Sequence, residues 1–502
     1  MGRDSRGPLR ARRGIRAPRP LRRAVLLACL LASPEAAAGD LVDRWGERVT
    51  FTLSERVRGE FVDWFRPRAG TARAGAERYE FVASQLRAGI RVVLPHAQLQ
   101  VDVQDTRLVN LPDDASLAPP AGNLGTGATY FAHTRRSDQG EPFLKQGFVT
   151  LRRGGLFATA GRFEIRDGLE TVPGDATLAQ LKRTRIAERL VGPFDFTHVT
   201  RSFDGLRVAW DRPGWNVTAF GTRPTHGGFE VSANRELEVT LAGLSATLKR
   251  LPHAPPADAR AFYLYYDDRR DAPLKVDNRP LAARMDDGDA IAVHSAGGHA
   301  VTVVDAGPGL LDLLGWMALQ AGTWGAQDHQ AWAWAVEGGY QLPRLPAAPW
   351  LRVGYNRSSG DDDPDDDVHE TFFQLLPTPR IYAQLPFFNL MNSEDLFAQL
   401  ILRPHARVTL RTDWHWLRVT EPRDLWYAGG GASNDDIFGF SGAPAGGRRE
   451  LAHLVDVSVS VTLPYQLALQ AYYGHAFGGS VVGRSFAGRD ADYGFVELTY
   501  RR

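Results

Sequence analysis

The residues that carry chemistry in this chain are arginines that alternate with apolar neighbours. Arg58 follows Arg56 in VTFTLSERVRGEF, Arg87 and Arg91 lie in QLRAGIRVV, Arg352 in WLRVGYN and Arg411 in RVTLRTDWHW. A planar guanidinium grips a carboxylate through two parallel hydrogen bonds, so a row of them suits reversible binding of an acidic ligand rather than covalent catalysis. For each arginine an equally open reading is a cross-strand ion pair with Asp or Glu that only stiffens a wall.

Catalytic and metal constellations are not expected. The 13 histidines are scattered, and His294 with His299 or His226 has no third partner at metal-ligand spacing. There is no Gly-x-Ser-x-Gly elbow, and the glycine patches at 429–431 and 446–447 lack the strand-to-helix setting of a phosphate cradle. His415 stands two residues from Asp413 with the same parity. A hydrolytic dyad fits that spacing, but a plain ion pair is the expectation, and no enzyme, cofactor or metal is predicted. The acidic run Asp361–Asp367 offers carboxylates to Ca²⁺ but lacks the ordered ligand spacing of a calcium loop, so it is expected to be a solvated loop.

Positioning a row of arginines requires extended backbone, and the chain supplies it almost from end to end. In LAHLVDVSVSVTL (451–463), Val455, Val457, Val459, Val461 and Leu463 alternate with Asp456, Ser458, Ser460 and Thr462. That two-residue period is a strand with one apolar face and one wet face. The same alternation sets Val49, Phe51, Leu53 and Val57 against Thr50, Thr52, Arg56 and Arg58, with Glu55 breaking the apolar side. Pro95-His96 joins 82–94 to 97–104 in a turn short enough only for antiparallel neighbours. From Asn110 to about Glu141 the chain reads as a long exposed loop, and 176–189 (ATLAQLKRTRIAER) as a helical turn within another. The stretch 375–390, apolar with three prolines, reads either as a plug folded inward, with Arg380 near a channel, or as a surface loop.

Composition narrows the class. Residues 1–38 combine an Arg-rich lead, the apolar run AVLLACLLA and Ala36-Ala37-Ala38, the pattern of a secretory signal peptide, leaving residues 39–502 as one domain. A lipoprotein box at Cys29 is the alternative, disfavoured by the five apolar residues between it and Arg23. The first 38 residues hold nine Arg against Asp4 and Glu35, so the whole-chain charge of +1 becomes about −6 on cleavage. An acidic mature chain argues against nucleic acid as a partner. No segment reaches the roughly 20 apolar residues of a membrane helix.

Short turns alternating with long loops, and Trp316, Trp324, Trp332, Trp334, Tyr340, Trp350 and Tyr355 clustered at strand ends, match an outer-membrane barrel with aromatic girdles. In hydrocarbon every backbone polar group must be paired, so a sheet survives there only when it closes. The expected fold is therefore an all-β transmembrane antiparallel barrel of about 18 strands at roughly 25 residues per strand and loop. Such a wall encloses more space than its side chains fill, which predicts an aqueous lumen faced by the polar residues and an outer face of Val, Leu, Ile and Phe.

The run GRFEIRDG (161–168), followed by RLVGPFDFTHVTRSFDGLRVAW (189–210), resembles the alginate export family of outer-membrane porins. GYNRSSGDDD from Gly354, HWLRV (415–419) and RRELAHLVDVSVSVTL from Arg448 extend the resemblance over nearly all of the mature chain. It implies an outer-membrane location and an 18-stranded barrel whose arginine-lined constriction passes an anionic polysaccharide such as alginate or another polyuronate. Carried over by position, Arg58, Arg87, Arg162, Arg166 and Arg380 match the family's basic residues and Asp167 its carboxylate; Arg91, Arg352 and Arg411 join them from the strand faces. Lys145-Gln146 stands where a charged Arg-Glu type pair is usual, and Gln470 where a late arginine is. Outer-membrane lipid and a periplasmic export machinery are the implied partners. The alternatives are a substrate-selective uptake porin for small anionic or sugar solutes, an outer-membrane enzyme, and an adhesion scaffold on the long loops.

Overall fold

The structure is a computed structural model that describes residues 48–249, 255–271, 273–379, 383–431 and 434–502. The expected leader and Arg380 lie outside the described residues. Alternating sequence produces long strands here because β-branched and apolar residues pack on one side of a pleat while Ser, Thr, Gln and Arg occupy the other. In chain order these are β1 (Val49–Asp63), β2 (Arg78–Val93), β3 (Ala97–Val109), β4 (Gln139–Arg153), β5 (Leu156–Phe163), β6 (Phe203–Asp211) and β7 (Trp215–Pro224). They continue as β8 (Val239–Leu248), β9 (Ala257–Asp268), β10 (Ile291–Ala306), β11 (Gly309–Trp324), β12 (Gln327–Gln341) and β13 (Trp350–Ser358). After a two-residue strand β14 (Val368–His369) come β15 (Glu394–His405), β16 (Val408–Arg418), the hairpin β17 (Leu425–Gly429) and β18 (Phe440–Pro444), β19 (Glu450–Thr462), β20 (Leu467–Gly478) and β21 (Asp490–Arg501).

Leaving aside β14, which pairs in parallel with β12, and the separate hairpin, each strand pairs antiparallel with its neighbour. β1 closes on β21 with Ser54 opposite Arg501 and Asp63 opposite Asp492. The result among the described residues is an 18-stranded antiparallel barrel without an edge, as the alternation predicts. Large apolar side chains crowd the outward face: Phe51, Leu53, Leu86, Ile90, Leu206, Val208, Leu319 and Val457 are all exposed. In water such a band would be a liability; against lipid tails it is the expected surface.

Most turns at the end where β1 begins and β21 finishes are short. Gly154-Gly155, with φ of +58° and +87°, closes β4 on β5 in left-handed geometry open mainly to glycine. The opposite end carries the long connections, except for Gly325-Ala326 between β11 and β12. Residues 110–138 differ from the exposed loop expected: they hold a helix α1 (Thr126–Thr134) whose Ala128 and Tyr130 are buried. The aromatics divide as well. Trp332 and Trp334 share the outward face with Val336, whereas Trp316, Trp324 and Trp350 share the opposite parity with Asp312, His329 and Arg352 and pack in the interior, buried.

Two long loops turn into the barrel. Residues 164–202 carry α2 (Ala176–Leu181) and a wider helical turn at Lys182–Ile186; the Asp175 carboxylate caps α2 by accepting from the Leu178 amide at 2.9 Å. Residues 359–393, among those described, pack beside them. The Leu376 amide donates to the Leu190 carbonyl and the Gly192 amide to the Leu376 carbonyl, at 2.9 and 2.8 Å. Among the described residues, 375–379 and 383–390 take the inward reading, because Phe372, Phe373, Leu375, Leu376, Phe387 and Leu390 are buried in one apolar core with Trp316 and Trp324 of the wall. The acidic run does not behave as a wholly solvated loop either: Asp361 is buried.

Candidate functional site

Strand parity decides which arginines reach the lumen. On β1, Arg58 alternates with the outward Val57 and Gly59 and turns inward, buried, donating to Glu497 at 2.7 Å and lying 3.5 Å from Glu60. Its guanidinium also sits over the rings of Phe196 and Phe495 at 4.5 and 4.6 Å. Arg56, one pleat away, donates to the carbonyls of Asp195 and Thr197 at 2.8 and 2.6 Å, tying the 164–202 loop to the wall. Arg87 on β2 donates to Gln104 at 2.6 Å and approaches Glu164 at 3.7 Å. Arg91, nearer the short-turn end, donates to Gln100 at 2.9 Å and has no ion-pair partner among the described residues.

The GRFEIRDG run leaves the wall after Phe163 and becomes a junction of charges. Arg166 pairs with Glu164 at 2.9 Å, with Glu188 at 2.5 Å and with Asp195. Burial opposes ionisation of Glu164, but Lys145, Arg87 and Arg166 outweigh it and hold this carboxyl well below the usual range. Asp167 pairs with Arg260 at 2.5 Å, which also holds Glu170 at 2.7 Å.

A second junction lies across the barrel. Glu337 of β12 accepts from Arg185 and Arg189 of the inward loop and from Arg352 of β13, and Arg352 also pairs with Asp312 at 3.1 Å. Arg411 of β16 pairs with Asp413. His415 pairs with Asp395 at 2.9 Å rather than with Asp413, since the strand opposite β16 brings Asp395 to its ring.

Arg162 departs from the expected lumen. It shares its face of β5 with Leu156, Ala158 and Ala160, whose cross-strand partners Trp210, Val208 and Leu206 are the exposed outward column of β6. The physical reason is the period of two: with Phe163 and Thr159 turned inward and buried, Arg162 must point out. There it meets Asp204, its register partner, at 2.7 and 2.5 Å.

Several cations that the sequence did not mark as site candidates lie inside the barrel, Lys145 having been read only as a departure from the family pattern. Lys145, Lys182, Arg185, Arg189, Arg201 and Arg260 are all buried. Lys182, Arg185 and Arg189 carry a signal, their spacing of three and four in a helical segment, but loops give no parity from which direction follows. Arg201 differs from the others. It donates to the carbonyls of Pro377 and Gly430 at 3.1 and 2.5 Å, no carboxylate pairs with it among the described residues, and its Nε and Nη1 have no hydrogen-bond partner. Burial pushes its pKa down to about 9. The guanidinium lies 5.3 Å from the Phe194 ring, which with Trp64, His133, Phe196, Phe229 and Phe388 lines a cavity of about 140 Å³ at the long-loop end.

The fold has clear relatives among solved structures. OccAB2 of Acinetobacter baumannii aligns with a TM-score of 0.56 at 8% identity over 90% of this chain and 98% of that one. OpdO of Pseudomonas aeruginosa gives 0.54 at 11% over 91% and 97%. OccK2 (OpdF) of the same organism, solved in complex with glucuronate, gives 0.52 at 9% over 90% and 97%. No curated protein sequence matches. The family model described as alginate export matches residues 47–497, and with the closed barrel this makes the chain an outer-membrane channel protein. The chain belongs to the alginate export family.

Proposed function

We propose that this channel passes an anionic polysaccharide, a polyuronate such as alginate, and that its carboxylates are received by guanidinium groups of the inward loops and wall. The observation that carries this reading is Arg201. A buried guanidinium met only by carbonyls, with two nitrogens unbonded, is costly, and a carboxylate arriving from the adjacent aromatic cavity supplies the missing counter-charge. Sugar rings stack on aromatic faces while their carboxylates meet Arg201, then Arg166, Arg87 and Arg91 in turn. Because Arg166 and Arg87 already hold acidic neighbours, each exchange is near balance, which lets a chain keep moving. Outer-membrane lipid surrounds the barrel, and a periplasmic export machinery delivers the polymer.

The two loops that cross the barrel favour a second reading, uptake of small uronates or similar acids; the glucuronate bound to OccK2 belongs with it. Planar-bilayer conductance of the refolded chain distinguishes them. Block of wild-type current by polyuronate, weakened at least tenfold by Arg201→Gln, supports the polymer channel. Block by monomeric uronate alone supports the second reading, and a current indifferent to both acids overturns the proposal.

A further inference from the structure

The luminal face of β15, β16 and β19 carries a cluster whose chemistry the channel reading does not use. Asp413 of β16 and Asp456 of β19 stand directly opposite each other in register, both inward and both buried. His415 lies one pleat along β16 from Asp413. One ligating atom from each of Asp413, His415 and Asp456 falls within 4.8 Å of the others. Two acids facing across a strand pair at this burial repel each other unless a cation lies between them.

The hydrogen bonds lie at the rim of the cluster, where the Gln399 side chain of β15, opposite Asp413 in register, stands beside that carboxylate. Asp395 of β15 occupies the Nδ1 edge of His415 at 2.9 and 3.1 Å. The opposite nitrogen, Nε2, is buried with no hydrogen-bond partner, and so is Asp413 Oδ1. Arg411 takes the other Asp413 oxygen, and Tyr472 donates to Asp456 Oδ2 at 3.2 Å. Phe388 of the inward loop meets the imidazole edge-on, ring centroids 6.5 Å apart, and Phe397 flanks it at 5.9 Å. A neutral imidazole that donates from Nδ1 to Asp395 turns an Nε2 lone pair to the centre, and that nitrogen and Asp413 Oδ1 are both buried without a hydrogen-bond partner, the condition in which a metal site awaits its ion.

We propose that Asp413, His415 and Asp456 bind a first-row divalent transition metal inside the barrel. A neutral imidazole nitrogen with two carboxylate oxygens suits zinc, cobalt or copper rather than calcium or magnesium, which prefer all-oxygen shells. Asp395 acts as the carboxylate that fixes the imidazole tautomer, the outer partner that metal-binding histidines regularly have. Arg411 faces three carboxylates, and Arg185, over the Phe397 ring, is matched by Glu337, so the cluster keeps an excess of negative charge that the ion neutralises. The metal rivets β16 to β19, and through Asp395 to β15, behind the inward loop at Phe388.

Full-length mature protein refolded with Co²⁺, then passed through a desalting column, tests this. The expected result is one Co²⁺ retained per chain, with electron spin echo spectra of the Cu²⁺ form reporting a single coordinated imidazole. His415→Gln and Asp456→Asn each lower affinity at least 100-fold, Asp395→Asn lowers it about tenfold, and His226→Gln in a distant loop leaves it unchanged. No metal retained by wild type, more than one imidazole in the echo spectrum, or retention that survives His415→Gln and Asp456→Asn equally overturns the proposal. The spectroscopic reading on wild type stands even where a variant fails to refold.

Discussion

Arg185 of the inward loop holds Glu337 of the β12 wall with both arms of its guanidinium, Nε to Oε2 at 2.8 Å and Nη2 to Oε1 at 2.9 Å. Neither residue is exposed, and Arg189 and Arg352 reach the same carboxylate. The pair therefore fixes where the loop crosses the lumen.

Replacing Glu337 by Ala strips three buried guanidiniums of a shared partner. Removing one member of a buried pair costs about 3–5 kcal/mol. Urea unfolding in detergent is expected to report a loss of that order, with larger single-channel conductance as the loop loosens. A loss below about 1 kcal/mol would place the loop's anchorage in its apolar contacts instead.

Arg162 and Asp204 face outward, so Arg162→Ala is expected to leave ion selectivity at its wild-type value while lowering thermal stability. The double variant Arg162→Leu with Asp204→Leu should recover most of that stability, because no unpaired charge then faces lipid. A change of reversal potential in Arg162→Ala would contradict the outward placement.

The face assignment of β19 makes a paired prediction. Val457 is exposed outward, and an arginine on the lipid face costs about 2–4 kcal/mol near the membrane midplane. Ser460, of opposite parity and exposed toward the lumen, should accept arginine within about 0.5 kcal/mol. Unfolding of Val457→Arg and Ser460→Arg in lipid vesicles compares them directly.

Acidity should tighten the outer loops. The Asp361 amide donates to Asp424 Oδ2 at 3.1 Å, and Asp424 also accepts from Thr371 at 2.6 Å and Tyr427 at 2.7 Å. Burial raises Asp424 to about 6; burial first, then the charge of Asp424, raises Asp361 to about 7. Both folded values exceed that of an unfolded aspartate, so the folded loops bind protons more readily and gain stability as pH falls. The loops are weakest above about pH 8, and the gain is complete near pH 4, where the unfolded chain protonates too. Amide exchange across 359–379, corrected for intrinsic rates, should slow between pH 8 and 5; Asp424→Asn should remove part of that dependence, and Asp361→Asn with Asp424→Asn most of it.

The strands were legible because a period of two is local: each residue's face follows from its neighbour's. Where the strands end was less so. The sequence reads as loop to about Glu141, but pairing with β3 carries β4 back to Gln139, since a paired strand continues as long as its partner offers hydrogen bonds, whatever the local pattern. Arg58, Arg87 and Arg352 could be assigned inward from parity alone. The resemblance put Arg162 in the lumen because a motif conveys order along the chain, while the face depends on the phase of β5.

By itself the sequence determined the closed barrel, its outward apolar band and its polar lumen, because backbone pairing in lipid admits little else for so alternating a chain. Only the tertiary structure decided what fills that lumen. The loops 164–202 and 359–393 have no period to read, and their direction comes from apolar residues such as Phe373 and Leu376 finding Trp316 and Trp324 inside the wall. The same long-range packing left Arg201 without a carboxylate and brought His415 to Asp456, relationships between residues hundreds of positions or whole strands apart that local spacing cannot encode.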